Sequence, residues 1–401
     1  DYTRDDFAWS PRMREALTTV FGLPRFRGHQ AEIINATLSG RDTFVIAPTG
    51  FGKSLCFHMA AYLADGMTLV ISPLVSLIRD QTMQLEALGI PAAALTGTTP
   101  PEETRVILAS MAHASDLKMV YVTPEKLVKS KRLLGQLQKM YDGGRLSLVV
   151  IDEAHCASQS SFDFRPDYRK LAICKTQFPK TPLMALSATC PPHLMTSVMT
   201  ILQLPEINLY SGTLLFTYPL RRNNLRYEVV ARPEKEADAL AHMIAWIKDR
   251  HANEQGIVYC MSRKDTETVE RALREQGLRA AAYHAYREED DKEQIHRAWR
   301  DNAIQIVVAT IAFGMGIDAP HVRFVVHHTM AKTIEAYYQE SGRAGRDGEP
   351  AECRLYFRPL DMSRLTSLVV SDIEELDAVY AMVRYALSLS TCRRALMEAY
   401  F

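Results

Sequence analysis

The chain has 401 residues, enough for two or three domains. Its 47 basic and 47 acidic residues cancel to a formal net charge of zero, which excludes a uniformly basic binder of nucleic acid and confines any such contact to a focal patch. Apolar residues make up 47% and charged residues 23%, a balance that supports full cores, and no run of about eighteen apolar residues exists to cross a membrane.

In chain order, the N-terminal Asp-Tyr-Thr-Arg-Asp-Asp carries none of the features of a signal peptide. Thr43–Ala47 reads as a buried strand and Ser54–Ala64 as a helix with small and apolar residues facing a sheet. Between them lies Ala47-Pro48-Thr49-Gly50-Phe51-Gly52-Lys53-Ser54. Its glycines let backbone N–H groups close around β- and γ-phosphates, and the helix start adds partial positive charge. Lys53 can reach the phosphates and Ser54 can ligate magnesium. Further apolar runs follow at Thr68–Ser72 and Met119–Thr123, and at Leu148–Ile151, which ends in Asp152 and Glu153. A buried strand ending in two acids places them where parallel sheets bind ligands. Asp152 would hold the magnesium ion through its water shell, and Glu153 would orient and deprotonate an attacking water. Leu183–Ser187 completes this first series of strands.

A second series runs through Gly256–Cys260, Ala280–Tyr283, Gln305–Thr310, Arg323–His327 and Glu352–Phe357, with helices at Lys264–Gln276 and Asp290–Asp301. Strands alternating with helices predict two α/β domains with parallel sheets. The expected boundaries are a first domain over 1–207, a linker over 208–224, a second domain over 225–358 and a helical tail over 359–401. The seven cysteines are scattered, most of them in apolar stretches such as those of Cys56, Cys174 and Cys260, as in a reducing interior.

The ordered motifs resemble a superfamily-two helicase and, within it, a RecQ-type DNA helicase of eukaryotic kind. They are Phe26-Arg27-Gly28-His29-Gln30, the phosphate loop, Ser72-Pro73-Leu74-Val75-Ser76-Leu77 and Thr123-Pro124-Glu125-Lys126-Leu127. Asp152-Glu153-Ala154-His155, Asp163-Phe164-Arg165-Pro166-Asp167-Tyr168 and Ser187-Ala188-Thr189 follow. The second domain supplies the run from Val307 through Ala312-Phe313-Gly314-Met315-Gly316-Ile317-Asp318 and the run from Gln339 through Arg343-Ala344-Gly345-Arg346-Asp347-Gly348. The resemblance covers nearly all of the chain and implies two tandem RecA-like domains followed by a short helical segment. It also implies ATP-driven 3′-to-5′ movement on single-stranded DNA with unwinding of duplex DNA in repair or recombination, and repair and recombination proteins as further partners, with no membrane. An RNA helicase, or a DNA-binding regulatory ATPase with weak coupling, stand as alternatives.

The resemblance assigns roles residue by residue. Gln30 would pair with the adenine edge, with Leu23 and Arg27 sandwiching the base. Pro48, Thr49, Gly50, Phe51, Gly52, Gly316 and Asp318 complete the ATP site. Arg343 and Arg346, expected three apart on one face of a helix, would meet the γ-phosphate as arginine fingers, and Gln339 of the same motif joins them as a catalytic residue. His155 would couple the ATP site to the second domain, with Ser187 and Thr189 relaying closure. Single-stranded DNA would cross Ser72, Pro73, Thr123, Pro124, Phe164, Arg165, Ser262, Arg263 and Thr310, which hold a backbone without reading bases.

Some segments depart from the family. Its usual Ser-Gln-Trp-Gly-His-Asp-Phe-Arg-Pro loop, implied to sense DNA, reads Ser158-Gln159-Ser160-Ser161-Phe162-Asp163-Phe164-Arg165-Pro166 here, without the Trp and the His. After His284, Ala285-Tyr286-Arg287 replaces the usual Ala-Gly-Leu. The last residues, from Thr391-Cys392-Arg393-Arg394 onward, resemble the entry to the family's zinc-binding subdomain. Cys392 would be the first of its four thiolates, so no zinc is expected in this chain. The expected cofactors are ATP and magnesium, and the expected location is nuclear, or cytoplasmic for a bacterial source.

Overall fold

Short apolar runs form two all-parallel sheets, one in each of two units, Asp1–Pro219 and Leu220–Phe401. The computed structural model describes residues 1–112, 117–158, 165–311, 313, 321–369 and 373–401. In the first unit the strands are β1 (Thr43–Ile46), β2 (Met67–Ile71), β3 (Ala92–Leu95), β4 (Met119–Val122), β5 (Leu146–Ile151), β6 (Leu183–Ser187) and β7 (Leu214–Thr217). They form a sheet of order β3-β4-β2-β5-β6-β1-β7. Every residue of β1, β2, β4 and β6 is buried. That burial on both faces explains why these strands read as unbroken apolar runs. Successive side chains still alternate between the faces. Phe44, Leu69, Val149 and Ile151 enter one core, and Val45, Val70, Leu148 and Val150 enter the other. The segment 208–224, expected as a linker, gives Leu214–Thr217 to this sheet as β7, paired with β1.

The second unit holds β8 (Leu225–Ala231), β9 (Gln255–Tyr259), β10 (Ala280–Tyr283), β11 (Ile306–Ala309), β12 (Val322–His327) and β13 (Ala351–Phe357), in the order β10-β11-β9-β12-β13-β8. Val258, Val308 and Val326 face one core and Ile257, Val307 and Val325 the other. The tail is helical at Pro359–Val369, Ile373–Leu387 and Arg393–Tyr400. Leu365, Val379, Met382 and Met397 of these helices pack with Ile334, Tyr337 and Tyr338.

Parallel strands bring all their carboxyl ends to one edge. In the first sheet that edge carries, in spatial order, Thr123 after β4, Ser72 after β2, Asp152 after β5, Ser187 at the end of β6 and Ala47 after β1. In an open parallel sheet this is the edge that binds ligands.

Candidate nucleotide site and nucleic-acid interface

The phosphate loop is shaped by its glycines. Gly50 (φ +84°) and Gly52 (φ +90°) both adopt left-handed backbone, and Gly52 caps the helix Lys53–Leu63. A Cβ on Gly52 would stand 2.8 Å from Gln30 Nε2 and displace that amide, on a backbone that residues with side chains rarely adopt. Lys53 Nζ donates to Ala47 O at 2.8 Å, which holds the ammonium across the loop. Gln30, buried at the start of the helix Gln30–Leu38, binds this loop directly. Its amide donates to Phe51 O (3.1 Å) and Gly52 O (3.2 Å), while its carbonyl accepts from Arg27 N (2.8 Å). Arg27 is exposed, with Nη1 3.5 Å from Gly50 O, and Leu23 packs against the helices beneath.

Asp152 is buried after β5, its N–H donating to Ile71 O (2.9 Å). Burial pushes its carboxyl up to about 7; neighbouring Glu153 adds to the rise and Lys53 opposes it. A buried acid in this state gains from a cation. Glu153 holds a left-handed backbone (φ +49°), rare for a residue with a side chain. His155, fully buried in the short helix Ala154–Ala157, has Nδ1 2.9 Å from Ser187 Oγ and 3.3 Å from Glu153 Oε2. The Ser187 hydroxyl donates its only proton to Thr189 O (2.7 Å), so it receives the proton of His155 Nδ1. The acidic motif and the end of β6 are thereby joined.

The other first-unit residues line the same edge. Ser72 N donates to Val122 O (3.1 Å), and the Thr123 hydroxyl caps the helix Pro124–Lys129 by accepting from Lys126 N (3.3 Å). Arg165 Nη1 donates to Pro73 O (2.8 Å), and Arg165 N donates to Cys156 O (2.9 Å). In the second unit, Ser262 caps the helix Arg263–Glu275 through Asp265 N (3.1 Å), and Thr310 N reaches Tyr283 O (3.3 Å). Phe164, Gly316 and Asp318 lie outside the described residues.

One expectation is corrected. Gln339 stands on the helix Ile334–Ser341, but Arg343 and Arg346 do not; they occupy the turns after it. Gly342 caps the helix and Gly345 turns left-handed (φ +57°), its N–H donating to Val322 O at 2.8 Å. Glycines end a helix here more readily than the Gln-Glu-Ser run extends it. Both arginines act electrostatically on one group. Tyr259 of β9 is pushed up by burial, and Arg343 and Arg346 pull it back. The Tyr259 ring stacks on His327, 5.3 Å between centroids, and His327 Nε2 lies 2.7 Å from buried Glu340 Oε2.

Three supporting residues were given no role in advance: Tyr168, the last residue of the Asp163–Tyr168 motif, and Gln81 and Tyr218, which belong to no motif. Tyr168 donates its hydroxyl to Asp152 O (2.9 Å), and Gln81 Nε2 lies 3.4 Å from Ser54 Oγ. Tyr218 accepts from His29 N (2.6 Å) and packs on Phe51, ring centroids 4.0 Å apart. The motif around Tyr168 could have drawn attention to it, whereas Gln81 and Tyr218 reach their partners over 27 and 189 positions, which local spacing does not reveal.

The family descriptions DEAD/DEAH box helicase and Helicase conserved C-terminal domain match residues 27–197 and 235–348. ATP-dependent DNA helicase Q1 of Pongo abelii is 45% identical over 100% of this chain and 61% of its own length. RecQ-like DNA helicase BLM of Xenopus laevis is 40% identical over 99% of this chain and 29% of its own. The chain spans about three fifths of the length of the Q1 relatives it matches. The structure of Mycobacterium smegmatis helicase Lhr bound to ssDNA and AMP-PNP superposes with a TM-score of 0.66 at 21% identity, over 94% of this chain and 52% of that one, a likeness of fold. With sequence identity of this depth running from end to end, and both helicase segments in order on two parallel sheets, the chain belongs to the RecQ family of superfamily-two helicases.

Proposed function

We propose that this chain is the motor core of an ATP-dependent DNA helicase that moves 3′ to 5′ on single-stranded DNA and unwinds duplex DNA. The observation that carries the reading is the chain of contacts Glu153–His155–Ser187–Thr189 beside the Lys53 loop. A bare phosphate-binding site has no use for such a relay, whereas a motor must pass the state of its nucleotide to the rest of the protein.

In this reading the loop amides and Lys53 bind the β- and γ-phosphates. Ser54 and Asp152 would hold the magnesium ion, which supplies charge neutralisation on the phosphate oxygens. The left-handed turns at Gly50 and Gly52 and the buried acid at Asp152 fit nucleotide and metal. Glu153 takes the proton of the attacking water. Arg343 and Arg346 neutralise transition-state charge on the γ-phosphate. Gln30, already bonded to the loop, reports adenine through the loop's position. Ser72, Pro73, Thr123 and Pro124, with Ser262, Arg263 and Thr310, hold the DNA backbone. Repair and recombination proteins as partners, and a nuclear location, belong to the same proposal.

The test is ATP hydrolysis with and without single-stranded DNA, with Lys53→Ala as the blank. Turnover should vanish in Lys53→Ala, and DNA should stimulate the unmodified chain more strongly than RNA does. Wild-type turnover in Lys53→Ala would refute the site. Nucleotide binding without stimulation by DNA would leave a regulatory ATPase, the outcome to which the Trp-less loop at 158–166 lends weight. Stronger stimulation by RNA would make the chain an RNA helicase.

A further inference from the structure

Three loops close one end of the second sheet, following β10, β11 and β9, which are neighbours in that order. The loop after β10 is His284-Ala285-Tyr286-Arg287. Tyr286 is 80% exposed. The guanidinium carbon of Arg263, the first residue of the helix that follows β9, lies 4.8 Å from its ring centroid. Ile311, also 80% exposed, follows Thr310 in the third loop, and Thr310 N is bonded to Tyr283 O.

A single exposed aromatic is ordinary on a protein surface. This one is oriented by a cation on one face and open to solvent on the rest, at the end of the sheet where Ser262, Arg263 and Thr310 stand. Tyrosine loses little conformational freedom on binding, and a guanidinium beneath it strengthens its hold on a stacked base. Of the carboxylates nearby, Glu267 is directed to His284, its Oε1 3.5 Å from Nε2.

We infer that Tyr286, seated on Arg263, is a platform on which an unpaired DNA base stacks. The inference rests on the single-strand motor reading above and adds to it. The hydroxyls and backbone groups grip phosphates and are blind to bases, whereas this ring makes affinity depend on the presence of a base.

The test compares two fluorescein-labelled strands of equal length by anisotropy on the full chain, one of oligothymidylate and one of abasic deoxyribose-phosphate. The expected result is that Tyr286→Leu weakens binding of oligothymidylate by roughly 5- to 150-fold, leaves the abasic strand unaffected, and unfolds at the wild-type temperature. Tyr286→Phe keeps the wild-type affinity for both. Equal weakening on both strands, or no weakening on either, overturns the platform while single-strand binding stands. If the unmodified chain binds neither strand, the motor reading falls and the platform with it.

Discussion

Replacing Ser187 by alanine breaks the proposed relay at one atom. Ser187 is fully buried, donates to Thr189 O at 2.7 Å and accepts from His155 Nδ1 at 2.9 Å. Alanine removes both bonds and adds no volume. A neutral hydrogen bond contributes about 1 kcal/mol net, and a buried group stripped of its partner costs about 1–3 kcal/mol. Glu153 Oε2 stands 3.3 Å from His155 Nδ1 and can accept from it once the ring turns, so the uncompensated loss falls on the Thr189 carbonyl. The expected destabilisation is therefore about 2 kcal/mol. For a unit of this size that lowers the unfolding midpoint by roughly 4–8 °C. The functional effect is separate. A histidine turned wholly toward Glu153 engages the carboxylate assigned to the attacking water, so ATP turnover and its stimulation by DNA should fall while KM for ATP holds. Scanning calorimetry and steady-state ATPase assays with and without oligothymidylate read the two effects. An unchanged midpoint with full stimulation would refute the relay, and a raised KM at unchanged kcat would assign the hydroxyl to nucleotide binding.

Arg346→Ala should bind ATP as the unmodified chain does yet lose about a thousand-fold or more in hydrolysis, by analogy with other arginine fingers; titration with labelled nucleotide beside turnover checks this, and parallel loss of both would remove the assignment. Gly345→Ala would place a Cβ 2.5 Å from Asn224 Nδ2 and 2.8 Å from Glu349 O at φ +57°. It should destabilise the second unit by about 1–3 kcal/mol and slow hydrolysis by shifting the arginines on either side. A midpoint within about 1 °C of wild type would show that the turn absorbs the side chain.

Strands buried on both faces were legible to within two residues at their ends, because a run such as Leu148–Ile151, observed as Leu146–Ile151, followed by two acids has few other readings. The edges were not. β3 is Ala-Ala-Ala-Leu, half-buried and poor in residues that favour strands, and β7 is short and lies in a stretch whose Pro and Asn suggested a linker. The phosphate loop, the acidic pair and the hydroxyls at strand ends were visible because each sits where a periodic pattern stops. Tyr218 was hidden: its bond to His29 spans 189 positions, and no local pattern encodes that distance. The misplaced helix end at Arg343 has a local cause, since the Gln339–Ser341 run favours a helix and the two following glycines stop it.

The strand order explains why a short relay suffices for the proposed coupling. Ser72, Asp152, Ser187 and Ala47 end adjacent strands, so Ser72 is three inter-strand steps of about 4.8 Å, roughly 14 Å, from the start of the phosphate loop. Backbone bonds bridge two of these steps at the edge itself, Asp152 N to Ile71 O and Ala47 N to Ser187 O. The step between them, from β5 to β6, is spanned by His155 and Ser187. Arg165 binds Pro73 O with its side chain and Cys156 O with its backbone, so a DNA strand that moved Pro73 would pull on the helix that carries His155. Glu153, immediately before that helix, sits in a backbone conformation that costs about 1–3 kcal/mol and persists only while its neighbours impose it. In the proposed motor its carboxylate would therefore respond to small displacements at the edge assigned to DNA, which is where such a motor needs its hydrolytic step to be sensitive.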